Sequence, residues 1–291
     1  MRAEAGTSGM VARSPWPSEE QAASPAPRRL IITLYGCYGR GEHNWLSVAS
    51  LIRLMGDLGV ESQAVRSSVS RLKRRGMLRS LSISGAAGYA LSPAGLGVLR
   101  DGDARIFGRR RASAADGWVL VVFSVPEAER GKRHELRAAL ARLGFGTAAP
   151  GVWLAPGTLS GEAMDALARR GLDKYADVFR AEHLGYADLP AQVQRWWDLD
   201  GLAARYGQFT GRYQPLAARL ASAGPPTGRQ AFREYISLLV SWQRLPYSDP
   251  GLPLELLPPG WAGVTAADLF SLLNDQLADT AAAHARALIR P

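Results

Sequence analysis

Cysteine is almost missing from this 291-residue chain: Cys37 stands alone. That excludes an intramolecular disulfide and suits a reducing cytoplasm, where the protein is expected to reside. Cys37 lies in an apolar stretch and reads as packed rather than nucleophilic. Long apolar runs are missing too, since none approaches the roughly 18 residues that a membrane crossing needs, and no membrane partner is expected. Residues 1–27 hold no apolar central block, so they do not read as a secretory signal and are expected to form a disordered tail. Histidine is scarce, and His43, His134, His183 and His284 show neither an HExxH pattern nor paired spacing with cysteine. The stretch with Gly36, Gly39 and Gly41 lacks the lysine and Ser/Thr of a P-loop. GLGVLRDG follows no strand that would make it a dinucleotide fingerprint. These absences leave no candidate catalytic residue, metal ligand or cofactor site. No repeat of fixed period is visible.

What remains is apolar enough to fold, with 47% hydrophobic and 21% charged residues, and long enough for two or three domains. The net charge of +9 is unevenly placed. Residues 28–111 hold 15 Lys/Arg against 5 Asp/Glu, out of 35 and 26 in the whole chain, leaving 20 and 21 elsewhere. The excess positive charge therefore belongs to one segment, which points to a polyanion partner for that segment alone. A basic helix face that is merely solvated is the plainer alternative.

Within that segment lies VESQAVRSSVSRLKRRGML. Ser62 suits a helix cap, and Val65, Val69 and Leu72 recur at i, i+4 and i+7, so one face packs inward. The opposite face carries Arg66, Ser67, Ser70, Arg71 and Arg74. Gly76 stops the helix, and two β-prone runs follow around a turn from Ser84 to Gly88. Helices expected over Leu30–Tyr38 and Trp45–Leu58 precede it, with Gly59 in the turn between the last two. Helix, stop and hairpin are the sequence image of a winged helix-turn-helix, whose polar helix face enters a DNA major groove. On that reading Arg66 and Arg71 contact guanine, and Ser67 and Ser70 reach phosphates or base edges. Lys73, Arg74 and Arg75 bind phosphate. Arg71 and Arg75 are also open to the reading that they only cover the domain surface. Tyr89 either touches the sugar backbone or closes the hairpin's own core.

Ser92 before Pro93 opens a further helix through Leu96, Leu99 and Ile106, and Arg109–Ser113 reads as a linker. The next region alternates in type. A strand over Trp118–Val125 and a helix over Glu129–Leu143 come first, followed by two short strands within Gly144–Pro156. A helix over Ser160–Arg170 and a strand over Ala176–His183 close it. The order βαββαβ is the ferredoxin-like split unit, a small sheet able to pair with another copy. From Leu189 the chain is mostly helical, with a Pro-rich connector, SDPGLPLELLPPGW, before a closing helix over Ala266–Ile289. The expectation is an α+β protein: a tail over 1–27, a winged helix-turn-helix over 28–111, a ferredoxin-like dimerisation domain over 112–187 and a helical domain over 188–291. In the last of these, Trp196, Trp197 and Trp242 beside Arg195 and Arg244 suit a site for an aromatic ring and a phosphate-bearing tail. Those tryptophans, and Trp261, equally suit core packing.

Several phrases, in this order, resemble the PaaX family of bacterial repressors, named for control of phenylacetic acid catabolism. They are WLSVASLIRLMGDLGVESQAVRSSVSRLKRRGML, YALSPAG, LGFGTAAPGVWLAP, WWDLDGLAARYGQF and SWQRLPYSDPGLPLELLPPGW. The likeness runs from about Leu30 to near Phe270. It implies an operator-binding homodimer held by the central domain. It also implies release from double-stranded DNA by a CoA thioester, typically phenylacetyl-CoA. The central domain further resembles the metal-dependent nuclease domain of CRISPR adaptation systems, which suggests a nuclease targeted by the winged helix as the alternative function. Those nucleases place an aspartate at the end of the first strand. Ser124 stands there in this chain, with Glu127 and Glu129 close by.

Overall fold

The computed structural model describes residues 26–108, 110–185, 188–224 and 226–290. The expected tail lies outside them through residue 25. Two compact units are present: Arg110–Leu202 with Tyr247–Pro259, and residues 26–108 with 203–246 and 260–290. Each carries one antiparallel sheet, of four and three strands respectively.

Helix α1 (Pro27–Leu34) starts on a proline, whose fixed φ and missing N–H suit a first helical turn. Leu30, Ile31 and Leu34 bury its apolar face. The helix does not run on evenly to Tyr38. It widens into a π turn over Tyr35–Gly39 and then a 3-10 turn over Arg40–Glu42. That widening puts Cys37 on the exposed side, contrary to its packed reading, while Tyr35 and Tyr38 stay buried. His43 and Asn44 take positive φ values of 55° and 65° and lead into strand β1 (Trp45–Ser47). Trp45 was expected to open a helix; instead Trp45, Leu46 and Ser47 pair with Ala90, Tyr89 and Gly88. Ser47 is the reason, because its side chain accepts from the Ser50 N–H at 2.9 Å and starts helix α2 (Val48–Asp57) only after it.

After Gly59 (φ 79°) comes helix α3 (Ser62–Arg74). Ser62 is its first residue rather than its cap: Glu61 occupies the cap position, without a side-chain capping bond. Gly76 (φ 69°) ends the helix. Strands β2 (Leu78–Ile83) and β3 (Ala86–Leu91) meet at a two-residue turn, Ser84–Gly85, with φ of 50° and 80°. This is tighter than the expected Ser84–Gly88 turn, and positive φ at both turn residues matches the twist of a hairpin. Gly88 lies inside β3 instead. A Cβ there would sit 2.4 Å from the Trp45 ring and 2.5 Å from the Leu46 carbonyl oxygen. Gly88→Ala is therefore expected to lose about 1–3 kcal/mol as an overpacked site, read as a lower urea midpoint. Helix α4 (Pro93–Ile106) follows as expected, with the Ser92 side chain accepting from the Gly95 N–H at 2.9 Å.

The other unit is built on strand β4 (Trp118–Phe123), helix α5 (Arg130–Arg142), strands β5 (Gly146–Ala149) and β6 (Val152–Pro156), helix α6 (Ser160–Ala168) and strand β7 (Ala176–Ala181). The sheet order is β5-β6-β4-β7. Val119 and Val121 of β4 and Trp153 of β6 face a core with Leu136 and Leu140 of α5 and Ala163 and Leu167 of α6. Residues 110–113, read as linker, are held: Arg111 pairs with buried Asp249 at 2.7 Å, and the Ala112 N–H donates to the Gly251 carbonyl at 2.9 Å. The Pro-rich connector thus lies against this unit through its Asp249–Leu252 segment.

Helix α7 (Leu189–Trp196) precedes helix α8 (Leu199–Ala223), which is continuous through Pro215. Helices α9 (Gly228–Trp242), α10 (Arg244–Ser248) and α11 (Ala262–Ile289) complete the chain. Phe270, Leu273, Leu277, Ala281 and Ala285 form a buried stripe along α11, and its small members let α9 approach closely. Helices α9 and α11, with α8 from Ala203, group with α1–α4 in one unit, with α9 against α1 and α11 against α2. Among the described residues no helix is long and apolar enough to cross a membrane.

Candidate nucleic-acid interface

Helix α3 divides cleanly into two faces. Val65, Ser68, Val69 and Leu72 are buried against α1 and α2. Arg66, Ser67, Ser70, Arg71 and Arg74 fall on the opposite arc, and all are exposed, as are Lys73 and Arg75. Among the described residues no carboxylate pairs with Arg66, Arg71, Lys73, Arg74 or Arg75. Lysine and arginine in the last helical turn do complement the helix dipole. That effect reaches only the final turn, so it does not account for Arg66. All seven residues proposed from sequence for this face are therefore brought together on one helix and its cap, open to solvent.

The hairpin is tied by polar contacts to the π turn after α1 and to β1. The Tyr35 hydroxyl donates to the Tyr89 carbonyl at 2.7 Å, and burial pushes the Tyr35 phenol well above its ordinary range, so it stays a donor. The Trp45 indole N–H donates to the Leu81 carbonyl at 2.9 Å. Tyr89 itself is half-buried with Lys73 Nζ 5.8 Å from its ring centroid, a cation–π contact joining hairpin to helix. Arg79 on β2 is an exposed cation that sequence reasoning did not single out. The signal available was a cation beside Leu78 in the first hairpin strand of the only basic segment.

The residues offered for an effector site divide between the units. Trp197 is buried, donates its indole N–H to the Gly144 carbonyl at 2.9 Å and covers Gly146, where a Cβ would lie 2.6 Å from its ring. Trp196 sits edge-on to Trp118 at 6.0 Å, and Arg195 is exposed. In the other unit Trp242 stacks on Phe270 with centroids 4.5 Å apart, 8° from parallel, and its indole N–H donates to the Ile106 carbonyl at 3.2 Å. Trp261 is buried edge-on to Tyr206 at 6.2 Å, and Arg244 is half-buried. Trp197, Trp242 and Trp261 thus serve cores.

At the end of β4, the Ser124 N–H donates to the Tyr175 carbonyl at 3.1 Å. Glu127 pairs with Arg133 at 3.3 Å, and Glu129 accepts from the Tyr175 hydroxyl. Among the described residues no group of three or more His, Cys, Asp or Glu side chains is placed to hold a metal ion.

Comparison with known proteins matches this arrangement along most of the chain. Residues 26–95 match a family described as PaaX-like protein, residues 111–193 the PaaX protein central Cas2-like domain, and residues 197–287 the PaaX-like protein C-terminal domain. The chain is 31% identical over 261 residues to the transcriptional repressor PaaX of Escherichia coli (strain K12), covering 87% of this chain and 81% of that protein. An uncharacterized protein, Rv0674, from Mycobacterium tuberculosis shares the fold with a TM-score of 0.56 at 22% identity, over 89% of this chain and 97% of its own. A likeness carried by three successive domains and by nearly a third of all aligned residues places this chain in the PaaX family.

Proposed function

We propose that the protein is a DNA-binding transcriptional repressor that acts by binding rather than by catalysis. The observation that carries this reading is the exposed, acid-free face of α3, with five cations and no carboxylate partner among the described residues. The repressor matched in Escherichia coli supports it. The β1-β3-β2 sheet beside three helices supports a winged helix-turn-helix, in which α3 enters the major groove and the Ser84–Gly85 hairpin lies on the adjacent backbone. Footprinting with the full chain on DNA upstream of its own operon tests the reading. Protection of an inverted repeat is the expected result, and uniform, unprotected cleavage is the result against it.

The central unit's order β5-β6-β4-β7, with two helices on one face, supports the ferredoxin-like reading. Its other face supports homodimerisation. Register puts Leu120, Val122, Val152 and Phe179 on that side beside the exposed Asp177, with Val122 36% and Phe179 51% exposed, while Trp118 and the α7 tryptophans cover only one end. Two such copies would present two α3 helices to an inverted repeat in the cytoplasm. The family resemblance supports an aromatic acyl-CoA, such as phenylacetyl-CoA, as the releasing effector. Such a ligand changes occupancy only by preferring the released state, and several kcal/mol of preference are needed for a near-complete switch.

A further inference from the structure

We infer that the last turn of α11 is a clamp that sets the placement of the α2–α3 pair, which makes Arg53, Asp57 and His284 positioning residues for DNA reading. The inference rests on the DNA-binding role proposed above.

A helix ends with carbonyl groups that have no partner of their own. At the end of α11 two of them are capped from α2. The Arg53 guanidinium donates to the Leu288 carbonyl through Nε at 3.1 Å and Nη2 at 2.8 Å. The Ser50 hydroxyl donates to the Ile289 carbonyl at 3.2 Å and accepts from Arg53 Nη2 at 3.2 Å. A cation at this end also faces the negative pole of the helix dipole. Further along α2, the Asp57 carboxylate accepts from Arg229 at the start of α9, at 2.9 Å, and meets His284 Nε2 at 2.7 Å. Arg290 pairs with Glu42, in the turn before β1, at 2.8 Å. Three successive parts of the DNA-reading half, Glu42, Ser50 with Arg53, and Asp57, are thus held by residues beyond position 228.

These contacts are suited to fixing geometry more than to adding stability. The apolar face of α2 is already closed, with Leu51, Leu54 and Met55 at most 1% exposed. Partly exposed ion pairs contribute little to folding, whereas a guanidinium held by two N–H groups on one carbonyl is directional. Helix α3 follows α2 after a turn of four residues and packs against it, so a shift of α2 is passed on to α3. The same α11 carries Phe270, stacked on Trp242, near its other end. One rigid helix of 28 residues therefore joins an aromatic cluster to the clamp.

The test uses the full chain and the duplex that the wild-type protein enriches from a random-sequence library. Arg53→Ala and Asp57→Arg are expected to weaken binding of that duplex by about two- to thirtyfold each, as for residues that couple one site to another. The slope of log affinity against log salt should stay unchanged, because no phosphate contact is lost. Adding Arg229→Asp to Asp57→Arg should recover part of the affinity by reversing the ion pair, with the His284 contact still lost. Folded variants that bind as tightly as wild type would overturn the clamp, as would a slope reduced by about one in Arg53→Ala, which would mark a phosphate contact. If Asp57→Arg does not fold, Ser50→Ala, which removes a single hydroxyl, decides in its place. A wild-type chain that enriches no duplex would remove the DNA-binding reading itself.

Discussion

Replacing Arg66 or Arg71 by alanine is expected to cut affinity for the preferred duplex by about 1–3 kcal/mol, roughly 5- to 160-fold, and to relax preference at one base position each. Both side chains stand on the exposed arc of α3, with no carboxylate partner among the described residues. A guanidinium in that position is expected to read guanine through two parallel hydrogen bonds, and losing both would leave the base edge unsatisfied. Arg74→Ala provides the internal contrast. Near the helix end it is expected to bind phosphate, so its loss weakens all sequences about equally and lowers the salt slope by about one. Competition titrations against single-base variants of the duplex at two salt concentrations separate the two behaviours. Equal losses on every variant for all three substitutions would reduce the face to a non-specific electrostatic one.

The second large effect is expected at Phe179. Phe179→Arg places a charge on the edge strand β7, on the sheet face that carries Leu120, Val122 and Val152. Burying that cation between two copies is costlier than leaving the face open to water, even beside Asp177 on the same face, because pairing the two would desolvate both charges. Sedimentation should therefore show a monomer, where the unchanged chain is expected to sediment as a dimer. The unfolding midpoint should barely move, because Phe179 points away from the core of Val119, Val121, Leu136 and Trp153. Operator affinity should fall with the dimer, since one helix contacts only half of an inverted repeat. A variant that remains dimeric would put the pairing surface elsewhere.

Local signals carried much of this protein. The 3.6 period of Val65, Val69 and Leu72 against a run of arginines made α3 and its outward face legible, because burial on one side and charge on the other leave a helix only one orientation. The βαββαβ alternation was legible from its short apolar runs between amphipathic helices, and the Ser92–Pro93 helix start from a capping hydroxyl before a proline. Trp45 was not. Its spacing continues the helical period of α2, yet the Ser47 cap and pairing with β3 place it in a strand. Cys37 failed likewise, since a one-residue widening of a helix turn leaves no mark in composition.

The residues alone thus settled where the charge lies, most of the helices and strands, and which side of α3 faces outward. Those properties depend on neighbours a few positions apart. The roles of the tryptophans and the capping of α11 by α2 were decided only by tertiary structure. Arg53 and Leu288, or Asp57 and His284, are more than 220 positions apart. No periodicity spans such a distance; only the folding of α9 and α11 beside the first three helices brings a guanidinium to the carbonyls that need it.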